Sequence, residues 1–233
     1  MLYGKKPIGT IGYMGGLMSL PEPFLWSYSQ MVQYNNDYVC LDKESIHYIR
    51  AMISFHSAAR NSLVDQAYGD WLLMLDTDIT FEPDILARLL MIFNRPLDTG
   101  ENIDVLAGLY QHKAAPHHPV LYAWDKDALA HLGDWDKFGE GQHYVIPIAS
   151  AGAGCLLVRR NIYERVKKEL KENPFDIIPP YGEDHSFFMR LKKLGIKAYC
   201  DPLITVNHLR LEGLSMDDYN KEEITVTKIT KGE

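Results

Sequence analysis

What is scarce in this 233-residue chain narrows what it can be. Cysteine occurs three times, at Cys40, Cys155 and Cys200. The number is odd, the positions are far apart, and each lies in an apolar, strand-like setting. Buried free thiols are therefore expected rather than a disulfide framework. That suits a reducing compartment, and the expected location is cytoplasmic. No run approaches the ~20 apolar residues that a membrane-spanning helix needs. Lys5 and Lys6 precede a partly apolar stretch, but Gly9, Gly12, Gly15 and Gly16 interrupt it and it ends at Pro21. With no small-residue cleavage site, a removable signal segment is not expected. Excess positive charge is also missing: the formal net charge is −7. This weighs against a nucleic-acid partner, whose phosphates call for Lys and Arg. It leaves a nucleotide open, because a metal ion can neutralise its phosphates. There is no internal repeat, no low-complexity segment, no G-x-G-x-x-G fingerprint and no credible zinc spacing among the histidines.

What is present centres on Trp71-Leu72-Leu73-Met74-Leu75-Asp76-Thr77-Asp78. A short unbroken apolar run bounded by polar residues fits a strand buried on both faces, as in a parallel sheet. In such sheets ligands bind beyond the carboxyl ends of the strands. Strand residues at i and i+2 share a face, so Asp76 and Asp78 could reach one divalent cation. Mg2+ and Mn2+ favour such oxygen ligands. Asp residues also end strands as turn and cap residues, so the pair alone leaves both readings open.

The surrounding chain reads as strands alternating with helices, which points to one layered α/β domain with a mostly parallel sheet flanked by helices. Its length and its 46% hydrophobic content suffice for one sizeable core. Ile8–Tyr13 reads as a first strand and Pro21–Val32 as a helix. Tyr38–Leu41 reads as a second strand ending at Asp42. That acid could accept hydrogen bonds from a base or ribose, or could serve as a turn or cap residue. Residues 46–68 read as helical, perhaps in two pieces. Val105–Tyr110, Val120–Trp124, Tyr144–Ile148 and Cys155–Arg159 read as strands. Asp201-Pro202 reads as a turn. Residues 111–142 are the least regular. Trp124, Trp135 and Tyr144 could offer aromatic faces to an acceptor or pack in the core. His112, His117, His118, His131 and His143 read as loop residues.

Two families share the Asp-x-Asp signature after an apolar strand. Asp76-x-Asp78-x-Thr80 resembles the first motif of haloacid dehalogenase-like phosphatases, which would make Asp76 a nucleophile and Asp78 a general acid. That motif usually lies on an early strand, and here two strand–helix units precede it. The ordered set is more similar to glycosyltransferase family 2 and its GT-A relatives. It comprises Ala59-Arg60-Asn61, Gly69-Asp70, Asp76-Thr77-Asp78, Gly154–Arg160, Gly182-Glu183-Asp184-His185, Arg190-Leu191, Gly195-Ile196, Asp201-Pro202 and Asn207-His208. The resemblance implies a single GT-A-like (Rossmann-like) domain over residues 1–210, with a tail at 211–233. Residues 1–110 would form the nucleotide-sugar side and 111–210 the acceptor side.

The resemblance further implies roles. Asp78 would bind the metal, Asp76 the metal or the donor ribose, and His208 would be a distant metal ligand. Arg60 would contact the donor nucleotide or its phosphates. Asp184 would be the general base of an inverting transfer, although a first-turn acid also serves a helix dipole. The donor would be a UDP- or GDP-linked sugar, the cofactor Mn2+ or Mg2+, and the acceptor a glycan or other hydroxyl-bearing molecule. A non-catalytic nucleotide- or sugar-binding domain would retain the same fold. The first strand departs from the family pattern: Thr10-Ile11-Gly12-Tyr13 and a glycine loop stand where a Pro-Thr-Tyr-Asn-like turn is usual.

Overall fold

The computed structural model describes residues 6–15, 20–41, 43–114, 116–126, 128–132 and 145–209. The first half of the chain forms β1 (Lys6–Met14), α1 (Glu22–Tyr34), β2 (Glu44–Ala51), α2 (His56–Gln66), β3 (Trp71–Leu75), β4 (Ile79–Thr80), α3 (Ile85–Phe93) and β5 (Val105–Leu109). The second half forms β6 (Leu121–Asp125), β7 (Ala128–His131), β8 (Ile146–Ile148), β9 (Ser150–Ala151), β10 (Cys155–Arg159), α4 (Arg160–Arg165), α5 (Glu183–Lys193), β11 (Ala198–Thr205) and β12 (Asn207–His208).

All five residues of β3 are buried, and its two faces enter different packing. Leu72 and Met74 join Ala59, Leu63, Tyr163, Phe187 and Leu191. Trp71, Leu73 and Leu75 join Phe24, Met31, Ile85, Leu89 and Phe93. A strand covered on both sides has no place for a polar side chain, which is why the apolar run is unbroken. Helix α3 buries Ile85, Leu86, Leu89, Ile92 and Phe93, the i, i+1, i+4, i+7, i+8 stripe of a helix lying on a sheet.

Among the described residues the main sheet has seven strands in the order β2-β1-β3-β10-β5-β11-β8. Strands β1, β2, β3, β5 and β11 run one way, and β10 and β8 run against them. It is thus a mostly parallel sheet between two helical layers, as the sequence predicts. Two smaller sheets sit beside it: β7-β6-β9, and the short antiparallel pair β12-β4. The pair matters most for the site, because its register sets His208 opposite Ile79, next to Asp78.

The structure corrects three local expectations. Residues 46–68 are not helical throughout: β2 occupies Glu44–Ala51 and only His56–Gln66 is helix. Ile46 and Ile49 fit a helical i, i+3 spacing, but pairing with β1 prevails. Tyr38–Leu41 is not a strand either. Asn35–Val39 prolongs α1 as a π-helical turn closed by the Cys40 N–H on the Asn35 carbonyl at 2.9 Å. The strand end proposed for Asp42 is therefore absent there, and Asp42 itself lies outside the described residues, as do Trp135, His143, Tyr144 and the tail. Asp201-Pro202 does not end the strand but runs within β11, where the register against β5 is irregular. The Leu203 N–H donates to Asp201 Oδ1 at 2.9 Å and shapes that irregularity.

Candidate functional site

Asp76 is the first residue beyond β3, and its N–H extends the β3–β10 ladder by donating to the Gly154 carbonyl at 2.9 Å. Its carboxylate accepts Arg60 Nη2 at 3.0 and 3.3 Å. Arg60 projects from the buried face of α2 and is only 3% exposed. Its Nη1 donates to the Ala153 carbonyl at 3.0 Å, and its Nε reaches Glu183 Oε1 at 3.4 Å. One guanidinium therefore ties the end of β3, the segment before β10 and the first turn of α5 together. The small residues 149–154 make this possible. A Cβ on Gly154 would lie 2.8 Å from the Tyr110 hydroxyl and 3.1 Å from Asp76 Oδ2.

Burial raises the Asp76 carboxyl above the ordinary aspartate value, against the pull of Arg60, and Asp78 adds to the rise. Arg60 lies above its own usual value: burial opposes this, and Asp76, Glu183 and Asp184 outweigh it. Tyr110 is raised well above the phenol range by burial, with Asp76 contributing. It stays neutral and accepts the Gly154 N–H at 3.1 Å.

Asp78 sits in a different setting. The Leu209 N–H donates to its carbonyl at 2.6 Å, so the β4–β12 pair brings the chain past it 130 residues later. His208 Nε2 lies 3.4 Å from Asp78 Oδ2, and Lys113 Nζ is hydrogen-bonded to the same oxygen. Burial raises the Asp78 carboxyl, but the Lys113 hydrogen bond and charge, with His208, outweigh it and hold it below the usual aspartate value. His208 Nδ1 lies 2.8 Å from the Gln111 carbonyl. A carbonyl only accepts, so Nδ1 carries a proton and Nε2 is the ring nitrogen left to face the Asp78 carboxylate. Nε2 and the Asp78 carboxylate are thus the two groups turned toward one point, and Lys113 supplies a positive charge there. The carbonyl on Nδ1 is the outer contact that metal-binding histidines usually have. Asp78 and His208 therefore fit a divalent cation.

Asp76, by contrast, is turned to Arg60 rather than to this corner. Among the described residues no three His, Cys, Asp or Glu side chains converge on one point. A two-donor set is what Mg2+-like ions use when substrate phosphates and water complete the shell. A cleft of about 460 Å3 opens alongside, lined by Tyr110, Lys113, His117, Asn207 and His208. Its size is that of a small-molecule site.

Asp184 lies in the first turn of α5, half-buried, with Oδ1 accepting its neighbour's N–H, from His185, at 2.7 Å. Its charge acts on Arg60, Tyr110 and Tyr122, so it lies near both the Asp76 corner and β6. His112 Nε2 is 2.8 Å from the Tyr122 hydroxyl, and His118 and His131 stack at 5.0 Å. His131 lies on β7 rather than in a loop. One face of Trp124 is covered by the Lys192 ammonium at 3.6 Å. Sequence reasoning missed Glu183, Lys113 and Tyr110. For Glu183 the signal was its place beside Asp184 at a helix start; for Tyr110 it was the small-residue run that its hydroxyl abuts.

The family described as "Glycosyl transferase family 2" matches residues 30–167. The chain belongs to glycosyl transferase family 2. It is a glycosyltransferase. Among solved structures it is similar to A197 from STIV, with 18% identity, 89% of this chain and 97% of that chain covered, and a TM-score of 0.51. It is also similar to GalNAc-T7, solved with UDP, GalNAc and Mn2+, with 12% identity and a TM-score of 0.51. That match covers 91% of this chain and 45% of the other. At these identities the likeness establishes a GT-A-like fold. No curated protein matches by sequence. Among the described residues no helix is long and apolar enough to cross a membrane.

Proposed function

We propose that this glycosyltransferase takes its sugar from a nucleotide-sugar donor, UDP- or GDP-linked, and passes it to a hydroxyl of a glycan or similar acceptor. The strongest support is the Asp78–His208 corner, where an oriented imidazole nitrogen and a carboxylate oxygen face each other at 3.4 Å. Asp78 and His208 would hold Mn2+ or Mg2+, which when bound supplies positive charge for the departing diphosphate. GalNAc-T7, which shares the fold, was solved with UDP and Mn2+.

The chain's own residues divide the remaining work. Arg60 orients Asp76, which stands at the strand end where a donor ribose would sit. Asp184 takes the proton of the acceptor hydroxyl as its oxygen bonds to the anomeric carbon and the bond to the diphosphate oxygen breaks. Attack from the side opposite the leaving group inverts the anomeric centre. The buried thiols of Cys155 and Cys200 agree with a reducing, cytoplasmic setting. The phosphohydrolase reading fits less well, because its nucleophile would be an Asp76 already held by a buried guanidinium.

The test is turnover of nucleotide sugars by the wild type and by Asp184→Asn, followed as nucleoside diphosphate release. The variant should keep metal-dependent nucleotide binding and lose roughly 10^2- to 10^4-fold in rate. Near wild-type turnover would remove Asp184 as the base.

A further inference from the structure

Asp78 Oδ2, an oxygen offered to a divalent ion, already carries a cation of the protein's own. The Lys113 ammonium is hydrogen-bonded to it, and His208 Nε2 faces the same oxygen at 3.4 Å. An ammonium and a divalent ion crowded onto one carboxylate oxygen repel each other. Lys113 must therefore give up that oxygen when a metal ion takes it.

The backbone that carries Lys113 is braced. Gln111 bridges to Pro119, and the His112 N–H donates to the His118 carbonyl at 2.8 Å. The His117 N–H donates to the Ala114 carbonyl at 3.0 Å, and His117 Nδ1 lies 2.9 Å from the His112 carbonyl. These bonds hold His117 at a left-handed φ of 56°, a conformation that needs such support outside glycine. The part able to move is the Lys113 side chain, an exposed ammonium on a flexible four-carbon stem.

The space for that movement is the cleft of about 460 Å3 that Lys113 lines. Among the described residues lining this cleft there is no carboxylate. Its polar side chains are amides, imidazoles, hydroxyls and Lys113 itself. An ammonium displaced from Asp78 thus meets no protein anion within the cleft, and the wall suits an anion brought from outside.

Taking the nucleotide-sugar reading above as given, we infer that Lys113 is an exchanging cation: it neutralises Asp78 before ligands arrive and passes to the donor's diphosphate when metal and nucleotide enter. Lysine binds phosphate as a point charge, so the transfer demands no fixed fork geometry. The exchange couples the two ligands. A diphosphate that draws Lys113 away opens Asp78 to the metal, and a metal on Asp78 releases Lys113 to the diphosphate. Such coupling is reciprocal by thermodynamic necessity.

The experiment measures two affinities of the full chain, for wild type, Lys113→Met and Lys113→Arg. Mn2+ alone is followed by electron paramagnetic resonance, and UDP and GDP in saturating Mn2+ by calorimetry. The effects of Lys113→Met should have opposite signs. Mn2+ alone should bind as well as to the wild type, or up to about a few-fold tighter, because an exposed pair is lost. The preferred diphosphate should bind about tenfold more weakly, the scale of one lost hydrogen bond to a charged group. Lys113→Arg keeps a cation that binds phosphate and should hold the diphosphate more tightly than Lys113→Met does. Unchanged diphosphate binding in Lys113→Met would overturn the inference and leave the donor reading standing. A parallel loss of Mn2+ and diphosphate would also overturn it, because a merely structural lysine would weaken both. No binding of either diphosphate to the wild type would sink the donor reading itself, and this inference with it.

Discussion

Asp76 and Asp78 are two residues apart on one strand end, yet they live in opposite surroundings. Asp76 is 24% exposed and locked to an arginine that is 3% exposed. Asp78 is 41% exposed and meets Lys113, itself 42% exposed, and His208. Asp76 is raised and Asp78 lowered from the ordinary aspartate value. An Asp-x-Asp motif is thus not a symmetric pair of ligands. The inner carboxylate joins strand, helix and small-residue segment into one corner. The outer one remains open to an incoming cation, and a late strand of the chain is folded back to complete it.

Removing the inner partner should have the largest effect. Arg60→Ala leaves Asp76 and Glu183 without their shared cation, and breaking a buried pair costs about 3–5 kcal/mol. Denaturant unfolding measures it, and a loss under about 1 kcal/mol would mean the corner is not held this way. Next comes Asp78→Asn. Its stability should change by no more than about 0.5 kcal/mol, the range of partly exposed sites. Mn2+ affinity, followed by electron paramagnetic resonance, should nevertheless collapse. Unchanged Mn2+ binding would remove the outer carboxylate as a ligand. Replacing Gln111 cannot touch its backbone carbonyl, so His208→Gln is the cleaner probe of the imidazole. It should weaken Mn2+ by at least about 10-fold, since loss of a mere outer-shell partner already costs roughly 10- to 100-fold, and wild-type affinity would exclude His208. The smallest effect belongs to Lys113→Ala. An exposed ion pair is worth up to about 1 kcal/mol, so freeing Asp78 should tighten Mn2+ alone by no more than a few-fold. Weaker binding would contradict the competition.

The two regions also differ in how far they can be read from sequence. Trp71–Asp78 was legible because five consecutive apolar residues ending at acids have few structural uses. The Asp78–His208 corner depends on a pairing across 130 residues, for which local pattern carries no information; only the ordered resemblance pointed to His208. The second strand was misread because Ile46 and Ile49 fit a helical i, i+3 spacing; in the strand they point to opposite faces and enter different cores, and pairing with β1 decides. That error put the second strand at Tyr38–Leu41, where the chain is still helical through Val39, rather than at Glu44–Ala51. Arg60 was found by motif, but its burial and its bond to Asp76 follow from the position of α2 under the sheet.

The central claim is that the open corner takes a cation together with a nucleotide, and thermal unfolding tests it most directly. The protein is melted with each nucleoside diphosphate, with and without Mn2+. At a hundred times its dissociation constant a ligand adds about 2.7 kcal/mol, a rise of roughly 5–10 °C for a chain of this size. The account predicts that rise with one nucleotide only when Mn2+ is present, and its disappearance in Asp78→Asn. The same rise without metal, or in the variant, would contradict it.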